Sequence, residues 1–433
     1  MAQSTELVSE KGLQPKPLNL AEYRNPKSLT HGLFRFPGRF HPPLIAYLIA
    51  SHPDAVTIGD PMVGSGTAAV ETVAAGRTGI FSDIDPLACL LTRAKAHPVD
   101  PEWLTGIFDS IAKKARTRSE PVRRPQARVA IQHLEESTDF RAPPDIFHWF
   151  QPYVVEGLCN SLIEAANHLY TPRRSDAVLA VFAAVIRRVS RADPFTSSGL
   201  EVTKIRKKEL KNDLKFDLAA ELKRRAEVLA KGYREMRDVP QMGTAKVFHQ
   251  DVKNWSGLCR ETGVWPDLVL TSPCYMSAIE YWRRHKLEYC LLGLVEPKDL
   301  PTLRGEFLGM GGEEPSLEGL PSVVRRMHSR LKSMGRKRDA SSLANYFQDS
   351  RQWLLETRTV LEKSNGTAYV VAGGNTNHGL VLDTPGALLS IAKDVGLSAS
   401  VFWQYGIKNS YMQYPTSGDR IKTETVLKLI AEP

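Results

Sequence analysis

The chain has 433 residues, 42% apolar and 24% charged, with a net charge of +9. A packed globular core of one to three domains is expected, and no apolar run is long enough to span a bilayer. Residues 1–16 lack the apolar stretch of a secretion signal, and the five scattered cysteines show no metal spacing; their odd count and dispersion point to a reducing cytosol. The basic balance, with a pI near 9.2, permits nucleic acid without requiring it.

In chain order, residues 1–30 read as a polar arm. Phe34-Arg35-Phe36-Pro37-Gly38-Arg39-Phe40-His41-Pro42-Pro43-Leu44 follows, rich in aromatics and prolines. Residues 56–67, Val-Thr-Ile-Gly-Asp-Pro-Met-Val-Gly-Ser-Gly-Thr, are an apolar strand running into Asp60-Pro61, then a tight turn, Gly64-Ser65-Gly66, then a helical pattern from Thr67. Glycines allow the sharp turn and a close approach to a ligand, and the helix start offers free N–H groups. The turn has neither the dinucleotide fingerprint spacing nor a P-loop lysine. A second strand, 78–82, ends in Asp83-Ile84-Asp85-Pro86. An acid at that place can accept from both hydroxyls of a ribose; the plainer role for Asp83 is to cap the next helix.

Residues 99–245 break the strand–helix rhythm. They hold helical patterns at 177–190 and 215–237, the latter with Phe216, Ala219, Leu222, Ala226, Leu229 and Tyr233 at helical spacing. This block reads as a mainly helical insertion between the second and third sheet strands. Arg187 and Arg191 in it read as surface or ion-pairing groups, and Phe147, Trp149 and Phe150 as core. Val247-Phe248-His249-Gln250-Asp251 is a third short strand ending in an acid.

Residues 267–275, Asp-Leu-Val-Leu-Thr-Ser-Pro-Cys-Tyr, are the most informative stretch. An apolar run fits a buried parallel strand, and it stops at Ser272-Pro273-Cys274-Tyr275, where α/β sheets bind ligands. A hydroxyl, a rigid proline and an aromatic ring suit a flat heterocycle, stacked on its face and met at its edge. Beyond it, Glu280-Tyr281-Trp282-Arg283-Arg284-His285-Lys286 can form a helix beside the pocket, its cations gripping a phosphate or merely solvated. Residues 294–340 read as a Gly- and Pro-rich loop that turns basic at Arg325, Arg326, Arg330, Lys332, Arg336, Lys337 and Arg338. A helix over 341–365, a strand over 367–372, a helix over 385–395 and an antiparallel pair over 398–405 and 423–430 complete an α/β chain.

The segment 272–275 resembles the catalytic motif of the DNA amino-methyltransferases, where the cytosine-N4 branch often carries Thr-Ser-Pro-Pro-Tyr; Cys274 departs from it. Residues 60–67 resemble the same family's Asp-Pro-Phe-x-Gly-Ser-Gly-Thr loop. The resemblance implies a Rossmann-like class I methyltransferase sheet of seven strands with a reversed last hairpin, over 31–98 and 246–433. It implies S-adenosylmethionine as cofactor, held by Phe36, Pro37 and Phe40, by Asp60, Pro61, Gly64, Gly66 and Thr67, by Asp83 with Asp85 as second choice, and by Asp251 facing the adenine amine. It implies Ser272, Pro273, Cys274 and Tyr275 as the catalytic set, and Arg283, Arg284, Lys286, Arg336, Lys337 and Arg338 as candidate DNA contacts. Double-stranded DNA is the expected partner, with a cognate restriction endonuclease as a functional one and no membrane. The insertion 99–245 and the basic loop 294–340 are the two candidates for target recognition.

The exocyclic amine of cytosine or adenine is a poor nucleophile because its lone pair is delocalised. Acceptors on its N–H, here Ser272 and the Pro273 carbonyl, help it become tetrahedral, while Tyr275 stacks on the flipped base. Cys274 opens a rival: cytosine-C5 methylation through a thiolate adduct, with Glu280 at N3 of the base. The C5 signatures Pro-Pro-Cys-Gln and Glu-Asn-Val are absent. N4-methylcytosine is the expected product. N6-methyladenine, an RNA substrate and a catalytically dead nucleic-acid binder are the remaining readings.

Overall fold

The apolar runs become a seven-stranded sheet in a computed structural model, which describes residues 25–115, 122–194, 196, 199–212, 214–276, 280–310, 315–377, 380–406 and 423–432. Its strands are β1 (Thr57–Asp60), β2 (Thr78–Asp83), β3 (Thr244–His249), β4 (Leu268–Thr271) and β5 (Thr367–Gly373). After a small ribbon of β6 (Asn375–Asn377) and β7 (Leu380–Leu382), β8 (Leu397–Gly406) and β9 (Thr423–Ala431) close it. The order is β3-β2-β1-β4-β5-β9-β8. β1 to β5 are mutually parallel, and β9 runs antiparallel to both β5 and β8. This is the Rossmann-like class I methyltransferase sheet with its last hairpin reversed.

Both faces are covered, which is why the strands read as runs rather than alternations. Leu268 and Leu270 point to one face, with Ile58, Phe81, Tyr369 and Val371, against the helices Pro42–Ala50 and Thr67–Ala74. Val269 points to the other, with Ile80, Ala368 and Val370, against Trp255 and Trp353.

Between β2 and β3 the chain is helical. Pro101–Ala115, Arg124–Ser137, Pro152–Ala166, Pro172–Ile186 and Leu218–Arg237 share one apolar core that also takes in Tyr281 and Leu287. Leu222, Ala226, Leu229 and Tyr233 are all buried there, on the stripe that their spacing predicts. Phe150 and Trp149 are core residues too.

Some expectations change. The helix expected over 177–190 is Pro172–Ile186: Thr171 accepts from the Arg174 N–H as its cap, and Pro172 sits in the first turn, where it loses no hydrogen bond. Most of the polar arm, 1–24, lies outside the described residues. Its end does not behave as an arm, because Leu29, Thr30 and His31 are buried and the Leu29 N–H donates to Glu235. Arg187 is buried rather than superficial, donating to the carbonyls of Asp193 and Gly199. The basic stretch is not a loop: it holds the helices Leu300–Glu306 and Ser322–Ser333 and the start of Lys337–Ser364. Its glycines suggested irregularity, but Val324, Met327, His328 and Leu331 recur at helical spacing and are buried.

The turn after β1 is tightly constrained. Gly66 has φ +77, and a Cβ there would lie 2.7 Å from Thr92 Oγ1 and 3.0 Å from Thr92 Cα. Gly66→Ala should therefore lower stability by about 1–3 kcal/mol through backbone strain alone, read as an earlier midpoint in chemical denaturation.

Candidate active site

The carboxyl ends of β1, β2 and β4 open into one cavity. Its first wall is the turn after β1, with Pro61, Gly64, Ser65 and Thr67. Gly64 has φ +51 and faces the Phe36 ring, from which a Cβ would lie 3.5 Å away. Asp60 is buried behind the turn; its Oδ1 accepts from the Met62 N–H at 3.0 Å, and burial raises its carboxyl well above the usual range. Lys95, also buried, donates from below to the Ser65 carbonyl. Burial, with Arg39 adding to it, pulls its ammonium down to about 7. Beside it His31 Nε2 meets Glu71 Oε1 at 2.8 Å, and burial lowers that imidazole to about 4.

Two acids at the end of β2, Asp83 as its last residue and Asp85 just past it, divide the work. Asp83 lines the cavity; its Oδ2 accepts from the Gly64 N–H at 2.8 Å and its Oδ1 from the Asp85 N–H at 2.9 Å. Burial, and then the neighbouring Asp85 charge, push Asp83 up to about 7. The capping task falls to Asp85, whose Oδ1 accepts from the Leu87 and Ala88 N–H groups of the helix Pro86–Ala96. Its Oδ2 lies 3.1 Å from His285 Nδ1. Asp251, just past β3, also lines the cavity and accepts from the Lys253 N–H at 2.9 Å.

Ser272, Pro273, Cys274 and Tyr275 form the facing wall. Ser272 Oγ donates to the Val371 carbonyl at 3.1 Å, which leaves the lone pairs of the hydroxyl free to accept. Tyr346 donates to the Cys274 carbonyl at 3.0 Å. The Tyr275 hydroxyl donates to one oxygen of Glu424, and Tyr405 donates to the other. Tyr281 stacks on Phe36 with centroids 5.3 Å apart and donates to the Pro37 carbonyl at 2.9 Å. Burial pushes the Cys274 thiol up to about 12, and the charges of Asp83 and Asp349 push the same way.

Most residues singled out from the sequence thus meet in one place. Phe36 and Phe40 line the cavity as well; Asp60 and Gly66 stand behind the turn, and Pro37 acts through its carbonyl. The cationic residues do not join them. Arg284 is 2% exposed, so it presents no surface to a phosphate; it donates to the Thr196 carbonyl. Lys286 is bound by both oxygens of Asp145 at 3.0 Å, and Arg283 is paired with Glu280 at 3.1 Å. Arg336, Lys337 and Arg338 are exposed at the start of Lys337–Ser364, outside the cavity. Tyr346, Tyr405 and Glu424 escaped sequence reading because nothing around them forms a motif. Tyr281 lay in a stretch noticed only for its charges.

No family model matches the sequence. Over 173 residues the chain is 26% identical to the type II methyltransferase M.MvaI of Kocuria varians, a match spanning 38% of this chain and 36% of that protein. Over 87 residues it is 32% identical to the type II methyltransferase M.MjaII of Methanocaldococcus jannaschii, spanning 20% of this chain and 16% of that one. The chain thus covers about a third or less of the length of these relatives. Among solved structures, the rRNA methyltransferase AviRa of Streptomyces viridochromogenes aligns over 91% of this chain and 88% of that chain, at 11% identity and a TM-score of 0.28. Among the described residues, no helix is long and apolar enough to cross a membrane.

The raised Asp83 should make ligand binding pH-dependent. Its elevated value favours folding below the ordinary carboxylate range, an advantage lost as pH rises through about 7. A ribose needs the ionised acceptor, so the binding effect runs the opposite way. With S-adenosylmethionine, the cofactor expected from the sequence, as the probe, titration calorimetry should read about tenfold tighter binding at about pH 8 than at about pH 6. Asp83→Asn should weaken binding and flatten that slope.

Proposed function

We propose that this protein is an S-adenosylmethionine-dependent DNA methyltransferase that modifies the exocyclic amine of a flipped base, with N4 of cytosine as the target atom. The observation that carries this is the single cavity whose opposite walls are the Gly64 turn and Ser272–Tyr275. Similarity to two type II methyltransferases supports the reaction class and a restriction-modification role, with a cognate endonuclease as functional partner.

The cofactor fits the first wall. The turn at Gly64 leaves space against Phe36 that a side chain would fill, the helix from Thr67 starts there, and Asp83 and Asp251 offer acceptors. Bound there, S-adenosylmethionine supplies an electrophilic methyl. The chain's own residues handle the base. Ser272 has committed its proton to Val371, so its oxygen faces the amine as an acceptor, joined by the Pro273 carbonyl. That polarisation pulls the lone pair out of conjugation. Tyr275, its hydroxyl held by Glu424, offers its ring for stacking. Holding nitrogen and methyl in line is worth up to about 7–11 kcal/mol.

The half-buried Cys274, its thiol pushed up by desolvation and by the acids Asp83 and Asp349, speaks against the C5 route, which needs a thiolate. Incubation with duplex DNA and cofactor, followed by nucleoside mass spectrometry, should give N4-methylcytosine; 5-methylcytosine would overturn the amine mechanism. Cys274→Ser should cost no more than about tenfold in rate, roughly 1.4 kcal/mol of barrier, whereas covalent catalysis would vanish.

A further inference from the structure

We propose that the exposed face of the helix Ser322–Ser333 reads the target sequence, its arginines hydrogen-bonding guanines in the major groove of duplex DNA. This rests on the DNA methyltransferase reading above. The helix, Ser-Val-Val-Arg-Arg-Met-His-Ser-Arg-Leu-Lys-Ser, contains no acid. Val324, Met327, His328 and Leu331 bury one side. Ser322, Arg325, Arg326, Ser329, Arg330 and Ser333 line a shallow depression on the other, an arc of about 140° at 100° per residue.

Three features separate this face from an ordinary solvated one. Arg325, Arg326 and Arg330 have no acid partner among the described residues. By contrast, on Leu218–Arg237 the residues Lys223, Arg224, Arg234 and Arg237 all sit in ion pairs. The cations that line the depression are arginines, whose fork matches the two acceptors of guanine, and small serines between them let the helix approach closely. Finally, the helix stands at the cavity's end of the sheet. It packs on β7, just past the carboxyl end of β5, and its buried side shares a core with Val252 of the cavity wall.

A helix of this kind enters the major groove of DNA, about 12 Å wide, but not the deep, narrow one of RNA duplexes. The competing basic helix, Lys204–Lys211, exposes Lys204, Lys207, Lys208 and Lys211. Its arginine, Arg206, is buried and paired with Glu209, so it offers point charges for phosphates and no fork for a base.

The test uses the full chain, S-adenosylmethionine and unmethylated plasmid DNA, with modified sites mapped by single-molecule sequencing. R325K, R326K and R330K each keep the charge and lose the fork. At least one should relax a single guanine of the site, discrimination falling on the order of tenfold, with cofactor affinity unchanged. If all three keep the wild-type site and discrimination, the proposal is wrong. A K204A/K207A/K208A/K211A variant should bind more weakly at every sequence yet keep the site; an altered site there would also overturn it. Wild-type protein that binds cofactor but methylates no DNA would sink the methyltransferase reading, and this proposal with it, before any variant is compared.

Discussion

The pairing of β1 with β4, Ile58 against Leu268 and Gly59 against Val269, holds the cavity together. The chain leaves β1 toward β2 and β3, then returns to lay β4 on the other side of β1. At such a reversal the loops leaving adjacent strands diverge and leave a crevice at their carboxyl ends. Pro61–Thr67 leaves one strand, Ser272–Tyr275 the other, and Phe36 closes the gap from outside the sheet. The helices placed between β2 and β3 do not disturb this, because they enter and leave on the far side of β1 from β4.

Burial sets the electrostatics of the crevice. It moves Asp83 up to about 7, Cys274 up to about 12 and Lys95 down to about 7, each toward its neutral form. Backbone groups offset part of that cost. Asp83 accepts from two N–H groups, and Lys95 donates to the Ser65 carbonyl. The same contacts hold the glycine turn from both sides, so its shape exists before any ligand arrives, and little reorganisation is left for binding.

Much of this was legible in sequence because local chemistry dictated it. Gly64 and Gly66 announce positive φ, the run before Ser272 announces a strand with two buried faces, and acids at strand ends announce caps or acceptors. Sequence spacing did not assign the two acids of the Asp83–Asp85 pair between those tasks; the registry of helix Pro86–Ala96 did. Cations were read worst. A run such as 283–286 looks the same whether its charges face solvent or, like Arg284, turn inward to cap carbonyls left by a distant segment. Glu424, Tyr405 and Tyr346 were invisible because their meaning comes from partners far away in the chain.

The bond from Tyr346 to the Cys274 carbonyl bears on why residue 274 need not be proline. A second proline would fix its own φ through a covalent ring. Cysteine gives up that rigidity, and here a phenol on another helix, 72 residues downstream, holds the carbonyl of the peptide that follows. The motif thereby reaches beyond its four consecutive residues to a phenol on a separate helix.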